Sequence, residues 1–214
     1  MNIGMGMSQS LRQTVSLQQR LTVMQSIQLQ SHELSVRLQL LETLHGIRYE
    51  PHAKCPKCTR KLTPLEIIKG FISDPNDFTT ECTSCHHRFE PKLVNFGKAS
   101  RLEMPFYCGI QVLERLPDIV ELNPDELQKK HPTIYHSAMI HFGTLKTAFA
   151  KVDLVYPFDQ VHEWQEKVQD FLGKLPDTVI AQSVGKSRKT IGRLRRRLEI
   201  PAYTKRNALE EIED

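Results

Sequence analysis

Four cysteines, Cys55, Cys58, Cys82 and Cys85, form two C-x-x-C pairs with 23 residues between them. Two residues between paired cysteines let both sulfurs of a turn face one ion, and two such turns supply the tetrahedral four-thiolate set that zinc prefers. The expected cofactor is one structural Zn2+, with an iron–sulfur cluster or reduced thiols as the other states open to this pattern. Four thiolates close the coordination sphere and leave no position for a reactive water, so no catalysis is expected there. His86 and His87 are spectators in this reading; a second arrangement puts one of them in place of Cys85. Structural zinc contributes on the order of 10 kcal/mol to small folds, which would let residues 52–92 stand with few large apolar side chains. Cys108, beside Phe106 and Tyr107, reads as a buried thiol.

The second concentration of chemistry is charge. The formal net charge is +4, but residues 186–206 hold nine Lys or Arg and one acid, Glu199, so this stretch is +8 and the remainder −4. Charge this local points to a polyanion at one face. Pro176-Asp177 predicts the start of a helix running through Val184, Gly185 a turn, and Ser187 the cap of a second helix to Leu198, which Ile200-Pro201 stops. Before them, Val161, Trp164, Val168, Phe171 and Leu172 fall on one helical stripe that Gly173 ends. Two crossing helices need a small residue, a flexible turn and apolar contacts. Ala181, Gly185 and Ile191 supply these, with Ile180, Val184 and Leu194 as further core. At about 100° per residue, Leu194 and Leu198 flank Ile191 on the buried side. Lys189, Arg193 and Arg196 cluster opposite, with Gly192 between them to allow a close approach. Arg188, Arg195 and Arg197 lie toward the edges, where side chains reach phosphates, and Ser187 with the helix N-terminus can hold another phosphate.

Residues 161–203 resemble the helix-turn-helix family of bacterial regulators. The resemblance implies a three-helix unit that binds double-stranded DNA. The expected contacts are Ser187, Arg188, Lys189, Thr190, Arg193, Arg196 and Arg197, with Arg-to-guanine contacts discriminating bases by roughly 1 to 3 kcal/mol. A basic helix also binds RNA. The scarcity of aromatic residues near it, Tyr203 excepted, favours DNA, since sequence-specific RNA readers stack bases on such rings.

The elements that must position these residues are mostly helical. Residues 11–44 contain no Gly or Pro. Their Leu17, Leu21 and Met24, then Leu34, Leu38 and Leu41, recur at i, i+4, i+7, predicting one or two amphipathic helices. Such helices pack on their own protein or dock a partner. Ile27-Gln28-Leu29 followed by Glu33-Leu34 resembles the activator- and polymerase-contacting region of the enhancer-dependent bacterial sigma factor, which implies RNA polymerase or a transcription activator as the partner of residues 11–44. Thr63-Pro64-Leu65-Glu66 and Asn123-Pro124-Asp125-Glu126 are helix-start signatures. The first helix should run to about Ile72, before Asp74-Pro75-Asn76-Asp77, and the second toward Lys130. Arg88-Phe89-Glu90 reads as a strand, residues 91–102 as a connector and residues 210–214 as a frayed acidic end. Pro132-Thr133, Ile140-His141-Phe142-Gly143-Thr144, Ala148-Phe149 and Leu154 resemble the homing-endonuclease-associated repeat, which implies a small helical DNA-associated unit; a plain helical linker is the alternative.

The expected fold is mostly α and multi-module: docking helices (1–50), a zinc-ribbon-like α/β insert (51–102), a small helical domain (103–158), the three-helix unit (159–205) and an acidic tail (206–214). Residues 1–9 lack the features of a secretory signal, and no window approaches the roughly 18 apolar residues of a membrane span, so the expectation is a soluble, cytoplasmic chain. There is no His between Cys58 and Cys82 to serve a His-Asn-His nuclease, Gly46-Ile47-Arg48-Tyr49 only faintly echoes another nuclease signature, and no phosphate-cradling glycine loop occurs. The chain therefore reads as a duplex-DNA-binding transcription regulator or initiation-associated factor, not an enzyme. A zinc-ribbon RNA-binding or ribosome-associated protein, and an accessory homing-nuclease-like DNA-binding protein, are the alternatives. Oligomeric state is left open.

Overall fold

A computed structural model describes residues 6–72, 74, 76–77, 79–96, 101–158 and 163–213, with backbone alone for 6–18, 21, 95–96, 101 and 213. The fold is mostly helical with a small antiparallel sheet. Helix α1 (Gly6–His45) is followed by strands β1 (Arg48–Lys54) and β2 (Lys61–Leu62), helix α2 (Pro64–Gly70), and strands β3 (Thr80–Glu81), β4 (Arg88–Phe89), β5 (Lys92–Phe96) and β6 (Arg101–Pro105). Then come helices α3 (Gly109–Arg115), α4 (Pro124–Lys130), α5 (Pro132–Phe142), α6 (Leu145–Ala150), α7 (Trp164–Lys167), α8 (Asp177–Val184), α9 (Arg188–Arg197) and α10 (Lys205–Glu213). Among the described residues no helix is long and apolar enough to cross a membrane.

Strand β1 alternates exposed and buried residues along its whole length, as a half-buried strand must. It is central to a sheet of order β2-β1-β5-β6, paired Ala53↔Leu62 on one side and Tyr49↔Asn95 on the other. Pro51 lies within this strand. On one side of β1 the β2 pairing reaches only Ala53 and Lys54, so a residue without an N–H meets an open edge at position 51. Residues 91–102 are not a connector: they carry β5 and the start of β6, registered Leu93↔Met104. The expected module limits at 50/51 and 102/103 thus fall inside β1 and β6.

Both capping signatures form. Thr63 accepts from the Glu66 N–H while Glu66 reaches back to the Thr63 N–H at 2.9 Å, and Asn123 and Glu126 do the same at the start of α4. Helix α5 is buried from Ile134 through Ile140, the mark of a helix enclosed on all sides. It packs against α3, α4 and α6.

Two hydrophobic cores result, and α1 belongs to both. Leu40 and Leu41 are adjacent and each 0% exposed. About 100° of helical rotation separates them, so Leu41 enters the core of the sheet and α3–α6, whereas Leu40, with Val36 and Leu44, enters the C-terminal core. Of the expected seam, Leu41 is core and Leu38 packs against it, while Leu34 is half-buried; the side chains of Leu17 and Leu21 lie outside those described. Helix α1 also carries α10. Ala208 is buried, Tyr203 Oη donates to Glu33, and His32 Nε2 lies 3.7 Å from a Glu211 carboxylate oxygen. Up to Glu213 the acidic end is thus helical and docked, not frayed; Asp214 lies outside the described residues.

Candidate functional site

The two cysteine pairs sit in matching loops. Lys54 pairs with Lys61 and Glu81 with Arg88, closing loops of six residues at 55–60 and 82–87. In each loop the N–H of the residue after the second cysteine donates to the first cysteine's carbonyl, Thr59 to Cys55 and His86 to Cys82, both at 2.9 Å. Both residues carry positive φ, 60° at Thr59 and 55° at His86. That is a strained conformation for a β-branched side chain, so the loop curvature is held by its surroundings. Arg60 supplies part of that restraint. Its guanidinium donates to Thr83 at 2.8 Å, to the Ser84 hydroxyl and to Glu66 at 2.7 Å, tying both knuckles to the α2 capping box.

The four sulfurs all lie within 4.8 Å of one another. Metal–sulfur bonds of about 2.3 Å in a tetrahedron give sulfur–sulfur edges of about 3.8 Å; Cys55 Sγ is 3.5 Å from Cys85 Sγ, and Cys58 Sγ is 3.7 Å from Cys82 Sγ. The set fits one metal ion. Its electrostatics agree. Burial raises the Cys55 thiol, but the Cys58 and Lys57 N–H groups and the neighbouring sulfurs bring it down to about 7. The Ser84 and Cys85 N–H groups lower Cys82. Cys85, despite a hydrogen bond from the His87 N–H, is raised to about 12 by burial and its three sulfur neighbours. Four such thiols cannot all ionise this close together unless a cation neutralises them. His86 is engaged elsewhere, its Nδ1 2.6 Å from Glu81. Cys108 is buried, away from this set.

The second feature is α9. Ser187 caps it, accepting from the Thr190 N–H at 3.2 Å. Gly185 makes the turn from α8 with φ 64°, where any side chain would be strained. Ile180, Ala181 and Val184 of α8 and Ile191 and Leu194 of α9 are all buried in one core with the α1 residues. Leu198 departs from the expectation: it is 37% exposed. The helix ends at Arg197, so position 198 no longer follows the apolar underside.

Lys189, Arg193 and Arg196 are exposed on the outward face, with Arg188 and Arg197 beside them. Among the described residues none of the five makes an ion pair. Arg195 and Gly192 differ from expectation. The Arg195 guanidinium is turned inward, with Nε 3.0 Å from Asp177 Oδ1, Nη2 3.1 Å from Oδ2 and Nη1 3.1 Å from the Ile200 carbonyl. It therefore binds α8 and the segment after α9, and is not free for a phosphate. Gly192 is buried, and a Cβ there would lie 3.4 Å from Asp177 Oδ2, so its smallness admits α8 and not a ligand.

The preceding stripe is not one helix. Trp164–Lys167 form a single turn, Gln169–Phe171 a 3-10 turn, and Leu172 bridges to Leu175. Val161, expected on that stripe, lies outside the described residues. The stripe's Val168, Phe171 and Leu172 nonetheless enter the C-terminal core, where α1 joins them against α8 through Val36, Leu40 and Leu44. A second brace is the α5–α6 turn. A Cβ on Gly143 would fall 2.8 Å from Ser183 Cα, and Thr147 donates to the Gln182 carbonyl at 3.0 Å, so this turn is locked onto the end of α8. It also brings exposed Lys146 beside Gly185, a basic neighbour that sequence spacing did not reveal. No protein-family model matches the chain, and no curated protein or solved structure does.

Proposed function

We propose that this chain is a duplex-DNA-binding transcription regulator or initiation-associated factor, in which α8 and α9 form a helix-turn-helix and the four cysteines hold a structural Zn2+. One observation carries the DNA reading. Helix α9 rests on a buried apolar underside while Lys189, Arg193 and Arg196 stand outward and unpaired among the described residues, in a segment that concentrates the positive charge of the chain. Among the described residues of α9, only Arg195 is paired with an acid, Asp177. An exposed cationic face on a helix held from beneath suits the major groove, with Lys189, Arg193 and Arg196 toward base edges. Arg188, Arg197, Ser187 and Thr190 then lie toward phosphates.

Zinc is the metal of this reading because four thiolates in a tetrahedral set favour it over harder ions, and the closed set assigns it to structure. The matched loops support the four-cysteine set over one that includes His86, whose ring faces Glu81.

A titration against duplex DNA, single-stranded DNA and structured RNA at several salt concentrations tests the DNA reading. The duplex should bind tightest, and Arg193→Ala should weaken specific duplex affinity about ten- to hundred-fold, the loss of one base contact. Unchanged affinity, or preference for RNA, would reject it.

For the polymerase or activator contact, residues from Leu29 onward are largely engaged within the chain, which leaves the stretch before it. Val23, Met24 and Ile27 are exposed apolar side chains there. Ile27 also borders a largely apolar groove with Leu65, Phe71 and Ile72 of the α2 region. Retention on immobilised RNA polymerase should disappear when residues 1–28 are removed; equal retention without them would remove this part of the proposal.

A further inference from the structure

Helix α9 is flanked differently on its two sides. On one, the Asp177 carboxylate holds Arg195 and abuts Gly192. On the other, α7 brings Trp164 alongside, and the two helices leave between them a cleft of about 190 Å³ whose walls include Trp164, Thr190, Arg193, Leu194 and Arg197. Trp164 packs only partly against the C-terminal core. Its indole N–H has no acceptor among the described residues, and neither Arg193 nor Arg197 has an anionic partner there. An amphipathic ring and two guanidinium groups thus converge on an open cleft, with the Thr190 hydroxyl, bonded to Ser187 at 2.9 Å, at its wall.

The orientation narrows the ligand. At about 100° per residue, Thr190 and Arg197 lie roughly a quarter turn from Lys189 and Arg196. When the outward face of a helix enters the major groove, a flank turned by that amount meets the groove wall, which is sugar and phosphate. The inference rests on the duplex-DNA reading of α9. We infer that the cleft between Trp164 and α9 receives one phosphodiester of the duplex with the edge of its deoxyribose. Arg197 pairs with the phosphate oxygens, and the indole covers the sugar and offers its N–H to the same phosphate. Arg193, at the mouth of the cleft, passes from the wall to the base edges. Trp164 is then a positioning residue that fixes how deeply α9 seats, contributing through the backbone and not through sequence.

Trp164 is the only tryptophan of the chain, so its emission reports on the cleft directly. The full-length, metal-loaded protein is titrated with a fluorescently labelled duplex two helical turns long. DNA anisotropy follows binding, and tryptophan emission with acrylamide quenching follows the cleft. The emission should change in step with anisotropy, with acrylamide access falling at saturation. Trp164→Ala should weaken affinity about tenfold, as expected for loss of a hydrogen bond to a charged group, and Trp164→Phe less. Arg197→Ala should lower the slope of log affinity against log salt by about one. If duplex binding depends on Arg193 but Trp164 emission and quenching do not respond, the cleft assignment is wrong and the α9 reading survives. If anisotropy detects no duplex binding, both fall. The wild-type fluorescence decides the matter even if Trp164→Ala does not fold.

Discussion

Replacing Cys82 by serine is expected to abolish binding of the one metal ion that the four sulfurs fit, zinc in the reading proposed above, and to unfold the segment that carries β2, α2, β3 and β4. Cys82 is 0% exposed, and its N–H is committed to the His87 carbonyl at 3.0 Å, so a serine there leaves three sulfurs around an incomplete site. The segment has little else to hold it. Strands β2, β3 and β4 are two residues each, and among the described residues from β2 to β4 the buried apolar side chains besides cysteine are Leu62 and Ile67. Structural zinc supplies on the order of 10 kcal/mol in small domains, comparable with the 5–15 kcal/mol by which whole domains are stable. Limited proteolysis and metal analysis read the result: new cleavage between residues 55 and 90, reproduced in the wild type by a chelator. Cys108→Ser is the control, since that thiol lies outside the cluster; it should keep one zinc per chain. Retention of zinc and of protease resistance by Cys82→Ser would overturn the metal-centre reading.

What could be read in the sequence was local in its physics. Thr63 with Glu66, and Asn123 with Glu126, act across three residues, and their helices start where the pattern places them. The cysteine loops are likewise self-contained, and Pro176, Gly185 and Ser187 mark the limits of α8 and α9 within one residue. The misreadings concern partners far away in the chain. Leu93 and Val94 are adjacent and both buried, so β5 shows no clean alternation, and its pairing with β1 bridges more than forty residues. The division of α1 between two cores depends on what lies against each face, which the Leu spacing does not state. Arg195 left a signal that charge type obscured: it follows Ile191 by four residues and so lies on the buried side of α9. An arginine there implies a carboxylate beneath it, and Asp177 is that group. Trp164, assigned to a core stripe by its spacing, packs partly against that core and also lines a cleft that its spacing did not reveal.

Lowering the pH from 7 to 5 is expected to remove a large part of the folding stability, because three imidazoles, His136 buried and His45 and His141 half-buried, are held in their neutral form. Burial brings His45, His136 and His141 each down from an ordinary 6.5 to about 4, and Lys167, His45 and Arg37 respectively reinforce the effect. His136 is the most enclosed, 1% exposed, and the half-buried His141 is held by several contacts. It stacks on Phe106 with ring centroids 5.1 Å apart, its Nε2 lies 2.8 Å from the Tyr107 carbonyl, and Arg37 donates to its own carbonyl at 2.9 Å. In the unfolded chain the three rings take up protons below about pH 6.5, while the folded protein refuses them until about pH 4. Their stabilising effect is therefore complete above pH 6.5, declines as the pH falls, and is exhausted near 4. Each ring contributes a slope of about 1.4 kcal/mol per pH unit in that window, so by pH 5 each costs about 2 kcal/mol, and together they approach the stability of an ordinary domain. Protonation of the cysteine ligands acts in the same direction, so the imidazole part must be isolated. His136→Phe preserves a ring against Tyr49 and Tyr135 and leaves all four sulfurs in place. Urea unfolding at several values between pH 7.5 and 4.5 should give the variant a shallower decline, by about 1.4 kcal/mol per pH unit. Parallel curves for variant and wild type would mean that His136 is already protonated in the folded protein or that its burial is relieved, and the account of acid sensitivity would fail with it.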